Sequence, residues 1–107
     1  MVARRFDVYL VNLDPTIGVE IQKTRPCLII SPDEMNQFLR TIVIAPLTSK
    51  SKDYPTRVKI KQNNTDGWIV IDQIRTIDKQ RITKVFGKLS EKEIEKIKLI
   101  IKETYVD

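Results

Sequence analysis

The strongest constraint on this chain is how its apolar residues are parcelled. Up to Leu89 they come in runs of five to eight residues, rich in Val, Ile, Phe and Tyr, separated by segments holding Pro, Asn, Asp or Gly. Runs this short suit half-buried strands better than helices. Six strands are predicted: Phe6–Leu13, Cys27–Ser31, Thr41–Ala45, Thr56–Lys61, Trp68–Ile74 and Ile82–Leu89. Thr56–Lys61 alternates cleanly, with Val58 and Ile60 on one face and Arg57, Lys59 and Lys61 on the other. Asn63 to Gly67 is a turn by composition, because Asn, Asp and Gly tolerate positive φ. The expectation is a mainly β fold, a small twisted antiparallel sheet or barrel.

After Leu89 the period changes. Ser90 and Glu93 form a capping-box pair, Leu89 and Ile94 are placed as a hydrophobic staple, and Ile94, Ile97, Ile100 and Ile101 recur at helical spacing. A C-terminal helix over Glu91–Glu103 is predicted. Its four lysines balance its four acids, which marks it as a packing helix. Ser31-Pro32-Asp33-Glu34 resembles the start of a second, short helix, with proline at the first helical position. With 107 residues and no repeat or linker, the chain reads as a single domain over 1–107.

Composition now limits the chemistry. There is no histidine and one cysteine, Cys27. A Ser-His-Asp triad, a histidine acid–base pair, an HExxH zinc site and a cysteine-based zinc site are therefore impossible. No internal disulfide can form, which agrees with a reducing cytoplasm. No apolar run approaches the ~20 residues of a membrane span, so a soluble cytoplasmic protein is expected. The net charge is +5, and it is uneven: Ser90–Asp107 carries four lysines and five acids, leaving 15 basic against nine acidic side chains, a net of +6, before it. A polyanion partner would meet that first part.

Three places look chemically equipped. Asp14–Pro26 joins two apolar strands by a segment longer than the ~2–5 residues of a hairpin loop, and longer connections are often functional. It holds Glu20, Gln22, Lys23 and Arg25. At Ala45–Lys52 an apolar strand ends in Thr48, Ser49, Lys50, Ser51 and Lys52. At Asp72-Gln73-Ile74-Arg75 polar residues interrupt a buried-looking strand. Taken alone, Arg25 also reads as a surface arginine, Thr48 as a strand-end hydroxyl and Asp72 as an acceptor holding a loop. Trp68 reads as core or subunit packing, and Cys27 as an inert buried thiol.

These segments together resemble a known family, the PemK/MazF-type toxins of type II toxin–antitoxin systems. The resemblance is carried by Asp7-Val8-Tyr9 with Leu13-Asp14-Pro15-Thr16-Ile17-Gly18, then Thr24-Arg25-Pro26, then Pro46-Leu47-Thr48-Ser49, then Asp72-Gln73-Ile74-Arg75-Thr76-Ile77-Asp78, in the family's order. It implies an SH3-like small barrel of the PemK/CcdB group with a C-terminal helix, forming a homodimer. The implied activity is sequence-specific, metal-independent cleavage of single-stranded RNA, with no cofactor. Arg25, Thr48, Glu20 and Asp72 fall on its catalytic positions. RNA contacts would come from Thr16, Gly18, Gln22 and Lys23 in the first loop. Ser49, Lys50, Tyr54, Pro55 and Thr56 would add contacts from the second, with Gln73 and Arg75 from the third. The implied partner is an antitoxin whose disordered tail lies in the toxin's groove, with promoter DNA bound only through that complex. Some members carry a basic residue where this chain has Val70, and a histidine where it has Val19, so roles resting on those residues do not transfer.

Without a metal, the ribose 2′-OH must attack its own phosphate, which needs a proton acceptor, a proton donor and a counter-charge for the phosphorane. Arg25 suits the counter-charge, since its guanidinium fork matches phosphate oxygens in pairs. Thr48 adds a donor. Arginine hardly deprotonates, so the base is Glu20, Asp72 or no single residue. The alternative is a CcdB-like gyrase inhibitor of the same fold, but that contact uses a tryptophan near the C-terminus and the only one here is Trp68.

Overall fold

A computed structural model of the protein describes residues 3–14, 18, 23–62 and 65–106. Seven strands form where β-branched residues concentrate: β1 (Asp7–Asn12), β2 (Thr24–Ile29), β3 (Thr41–Thr48), β4 (Arg57–Gln62), β5 (Thr65–Val70), β6 (Arg75–Asp78) and β7 (Ile82–Lys88). Two helices accompany them, α1 (Asp33–Phe38) and α2 (Glu91–Tyr105). All strand pairs are antiparallel. The order is β4-β5-β3-β2-β1-β7, with β6 beside β3. The ladder leaves β4 and β7 at its ends, so the sheet curls in a barrel-like way without closing.

Each face of the sheet carries an apolar cluster. One gathers Val8, Leu28, Ala45, Val58, Ile60 and Ile69 under Ile97 of α2, with Ile94, Ile100, Ile101 and Leu89 packed at its margin. Full burial of one such isoleucine contributes about 1.5–3 kcal/mol. The other gathers Tyr9, Val11, Leu13, Cys27, Ile29, Ile42 and Ile44, closed by Ala3, Ile77 and Ile82. The capping box forms as expected: Glu93 N–H donates to Ser90 Oγ at 3.2 Å, and Ser90 N–H donates to Glu93 Oε1 at 2.8 Å. The short helix α1 also forms, and is pinned by Asn36, whose Nδ2 donates to the Ser31 carbonyl at 2.9 Å.

The structure extends three strands beyond or away from their apolar runs. β2 begins at Thr24, because Asn12 and Val11 of β1 pair with Thr24 and Arg25 and draw polar residues into the ladder. β3 continues to Thr48: it is paired with β6 up to Ile44 and with β5 from Leu47, and Pro46 sits in the gap between them. The run Trp68–Ile74 is not one strand. β5 ends at Val70 and Ile71–Gln73 form a 3₁₀ turn. Ile71 N–H still donates to the Thr56 carbonyl at 3.0 Å, continuing the β4–β5 register by one residue before the backbone turns. The chain then returns as β6, a seventh strand that the sequence did not announce. Of the turn expected over Asn63–Gly67, Asn63 and Asn64 lie outside the described residues, whereas Thr65, Asp66 and Gly67 already belong to β5, where β4 gives them a ladder to pair with.

Candidate active site on the exposed face of the sheet

Strand alternation places Arg25 and Thr48 on the same face of neighbouring strands. β2 and β3 pair as Cys27↔Pro46, Leu28↔Ala45 and Ile29↔Ile44. Carried two residues further, the same register sets Arg25 level with Thr48. Arg25 is itself opposite Val11, Thr48 is opposite Trp68, and Trp68 is opposite Lys59. Residues directly opposed in a sheet share a face. Arg25, Thr48, Trp68 and Lys59 therefore form a row across four strands, on the face away from α2. Arg25, Thr48 and Trp68 are half-buried, and Lys59 is exposed.

Thr48 ends its strand in a tight turn. Its Oγ1 accepts from Lys50 N–H at 3.3 Å and donates to the Lys50 carbonyl at 3.2 Å. The next residues, Ser49, Lys50, Lys52, Asp53, Tyr54 and Pro55, are exposed. Arg57 gathers this loop. Its Nη1 donates to Ser51 Oγ at 3.0 Å, and its guanidinium carbon lies 4.9 Å from the centre of the Tyr54 ring. Arg57 is in turn held by Asp72, with Nε 3.2 Å from Oδ1 and Nη2 3.3 Å from Oδ2. Thr56 Oγ1 donates to Asp72 Oδ1 as well, at 2.9 Å. Partial burial pushes the Asp72 carboxyl up. The hydrogen bonds from Arg57, Thr56 and its own backbone, together with the Arg57 charge, outweigh that and hold it below the usual carboxylate range. Asp72 thus does what an acceptor holding a loop does.

The first long loop is closed at its neck. Leu13 N–H donates to the Lys23 carbonyl at 3.0 Å, and Lys23 N–H donates to Asp14 Oδ1 at 2.8 Å. Lys23 takes a positive φ of 71°, a costly conformation for a side chain of its kind. Arg81 Nη1 donates to the carbonyls of Asn12 and Asp14, and Arg75 Nη1 reaches the Leu13 carbonyl at 3.4 Å. Arg81 was not singled out in the sequence, and nothing in its local pattern distinguishes it from other surface arginines. Arg75, expected at RNA, grips the neck. Gly18 is exposed, has a φ of 61° and has nothing near where a Cβ would stand. Gln73 is half-buried on the 3₁₀ turn. Thr16, Val19, Glu20 and Gln22 lie outside the described residues, so the geometry does not reach those expectations.

Two further features bear on what the site can do. A hollow of about 490 Å³ bordered by Phe38, Leu39, Arg40 and Asp78 lies at the Thr41 end of β3, opposite to Thr48, and holds none of the chemically equipped residues. Among the described residues no group of three or more Cys, Asp or Glu side chains converges as a metal site requires. What the row supplies is positive charge from Arg25 and Lys59, the one hydroxyl of Thr48 and the aromatic ring of Trp68.

A barrel-like antiparallel sheet with a C-terminal helix and two basic residues in a row across one face defines a small mainly β domain. Comparison with known proteins narrows this. Residues 4–105 match the model of the "PemK-like, MazF-like toxin of type II toxin-antitoxin system" family, and the chain belongs to that family. It is 36% identical over 103 residues to Endoribonuclease EndoA of Bacillus subtilis, covering 91% of this chain and 89% of that protein. It is 35% identical over 100 residues to Endoribonuclease MazF of Staphylococcus saprophyticus, covering 88% and 83%. Among solved structures, MazF of Deinococcus radiodurans superposes with a TM-score of 0.85 at 22% identity, covering 96% of both chains. A mycobacterial endoribonuclease solved with its cognate antitoxin superposes with a TM-score of 0.77, also at 22% identity, covering 95% and 91%. These likenesses bear out the expected fold and family.

Proposed function

We propose that this protein is the toxin of a type II toxin–antitoxin pair and acts as an endoribonuclease on single-stranded RNA. The observation that supports it is that Arg25 and Thr48 share one face of neighbouring strands β2 and β3, in a chain whose named relatives are endoribonucleases. Arg25 binds the scissile phosphate with its guanidinium fork and, beside Thr48 Oγ1, balances the charge that develops on the phosphorane. The 2′ oxygen attacks phosphorus and the bond to the 5′ oxygen breaks, leaving a 2′,3′-cyclic phosphate and a 5′ hydroxyl. The 2′ proton leaves to a base as the 5′ oxygen gains one.

Asp72 is a poor base, because Arg57 and Thr56 already occupy its oxygens. We assign it to holding Arg57 and the loop after Thr48, and give the acceptor role to Glu20. No metal takes part in this scheme. The partner is an antitoxin whose acidic tail suits the +6 carried by residues 1–89 and competes with RNA there. The working form is a homodimer in the cytoplasm. No described helix is long and apolar enough to cross a membrane. Against a gyrase inhibitor stands the position of Trp68 within β5, far in sequence from the C-terminus.

The test is to map cut sites in a long RNA and compare wild type with Arg25→Ala and Thr48→Ala. Each loss should slow cleavage by about 100–1000-fold without moving the cut sites. Undiminished cleavage by Arg25→Ala removes Arg25 from the mechanism. Cleavage of an RNA with deoxyribose at the attacking position, or a strict need for added magnesium, overturns the 2′-OH scheme.

A further inference from the structure

We infer that Trp68 is a stacking platform for a nucleobase next to the scissile phosphate, with Lys59 as its companion cation. The inference rests on the ribonuclease reading and adds to it a residue that sets how the substrate is held. The sequence suggested the opposite, that this tryptophan packs in the core or between subunits. Its surroundings exclude the core. Trp68 belongs to neither apolar cluster, whereas its neighbour Ile69 is fully buried in the cluster under α2. Trp68 points to the other face, opposite Thr48, and remains half-buried.

Lys59 Nζ stands 5.8 Å from the centre of the Trp68 ring and 3.7 Å from Asp66 Oδ2. The lysine and aspartate side chains are 57% and 62% exposed, so this ion pair is weak and yields readily to a competitor. A nucleotide is such a competitor: its base has a π-face for the indole, and its phosphate has a charge for the lysine. Sequence-tolerant stacking on aromatic side chains is how proteins commonly hold single strands. The direct opposition of Trp68 to Thr48 sets the platform one strand from the phosphate site, the spacing of adjacent β-strands being ~4.8 Å. A nucleotide whose phosphate meets Arg25 and Thr48 can therefore lay a neighbouring base on Trp68.

The chain has one tryptophan, so its fluorescence reports this position alone. The experiment titrates the full chain with a single-stranded RNA carrying a mapped cut site, made uncleavable by deoxyribose at the attacking position. Stacking should quench the emission saturably. Cleavage kinetics then compare wild type with Trp68→Phe and Trp68→Leu, the leucine keeping apolar packing. Trp68→Leu should raise KM by about tenfold or more with kcat nearly unchanged, and Trp68→Phe should recover most of the loss.

An emission indifferent to RNA but dependent on protein concentration would place Trp68 between copies of the chain and overturn the proposal. So would equal KM values for the leucine variant and wild type. A leucine variant that does not fold leaves the quenching of the wild-type chain to decide. If wild type cuts no RNA, the ribonuclease reading fails, and stacking with it. If it cuts RNA with unmoved fluorescence, only stacking fails.

Discussion

Asp72 and Cys27 are single residues whose surroundings fix a measurable response to acid or to a thiol reagent. Asp72, a catalytic candidate by resemblance, has carboxyl oxygens that accept from Arg57 and Thr56. Its carboxyl lies below the ordinary range in the folded protein, so the unfolded chain takes up its proton first on acidification. The stabilisation is complete above the ordinary carboxylate range of about 3.9 and is lost as pH falls through the lower folded value. Thermal melts between pH 2.5 and 7 should therefore show wild type above Asp72→Asn near neutrality, with the gap narrowing in acid. The gap will be modest, because the carboxylate is 36% exposed and screened. A gap that widens in acid would contradict this assignment. Cys27 is fully buried, and burial pushes its thiol up to about 12 against a small opposing pull from Arg75. It should ignore a disulfide reagent at pH 8 in the native protein and react at once in guanidinium.

At the scale of elements, the sequence was most legible where local chemistry and tertiary role agree. The C-terminal helix could be read to its cap, because Ser90, Glu93 and the isoleucine spacing all say the same thing. The cap also reaches outward: Glu93 Oε2 accepts from Lys61 N–H at 3.0 Å, tying the start of α2 to β4. Ser90→Ala should lower stability by about 1 kcal/mol, and Glu93→Ala by more, because the second removes a tether as well as half the box. Urea unfolding would check both, with a shifted midpoint and an unchanged slope. The sequence was least legible at β6. Arg75-Thr76-Ile77-Asp78 has a single buried side chain, Ile77, and no run of apolar residues to betray it. It is a strand because β3 offers it a ladder. The polar start of β2 was hidden for the same reason, yet it carries Arg25. The catalytic candidates are legible through resemblance; that Arg25 and Thr48 share a face of adjacent strands follows from pairing, which no local pattern encodes. Arg57 and Arg81 escaped altogether, since a hub and a clamp are defined by contacts distant in sequence.

Over the whole molecule, the lack of histidine becomes a statement about rate. A nuclease built on a guanidinium and hydroxyls has no imidazole to titrate near pH 6.5. The profile of kcat/KM between pH 5.5 and 8 should show no bell centred there, and a bell with an apparent pKa near 6.5 would point to a group the site does not contain. The closed neck of the first loop has a different consequence. Leu13, Asp14, Lys23 and Arg81 fasten the two ends of that segment to each other and to the sheet, independently of what lies between. Doubling a loop's length costs only about 0.6 kcal/mol in closure entropy. The segment between the fasteners is thus tolerant of added length. Residues inserted away from Glu20 should leave the melting temperature nearly unchanged, while the sheet that carries Arg25 and Thr48 stays as it is.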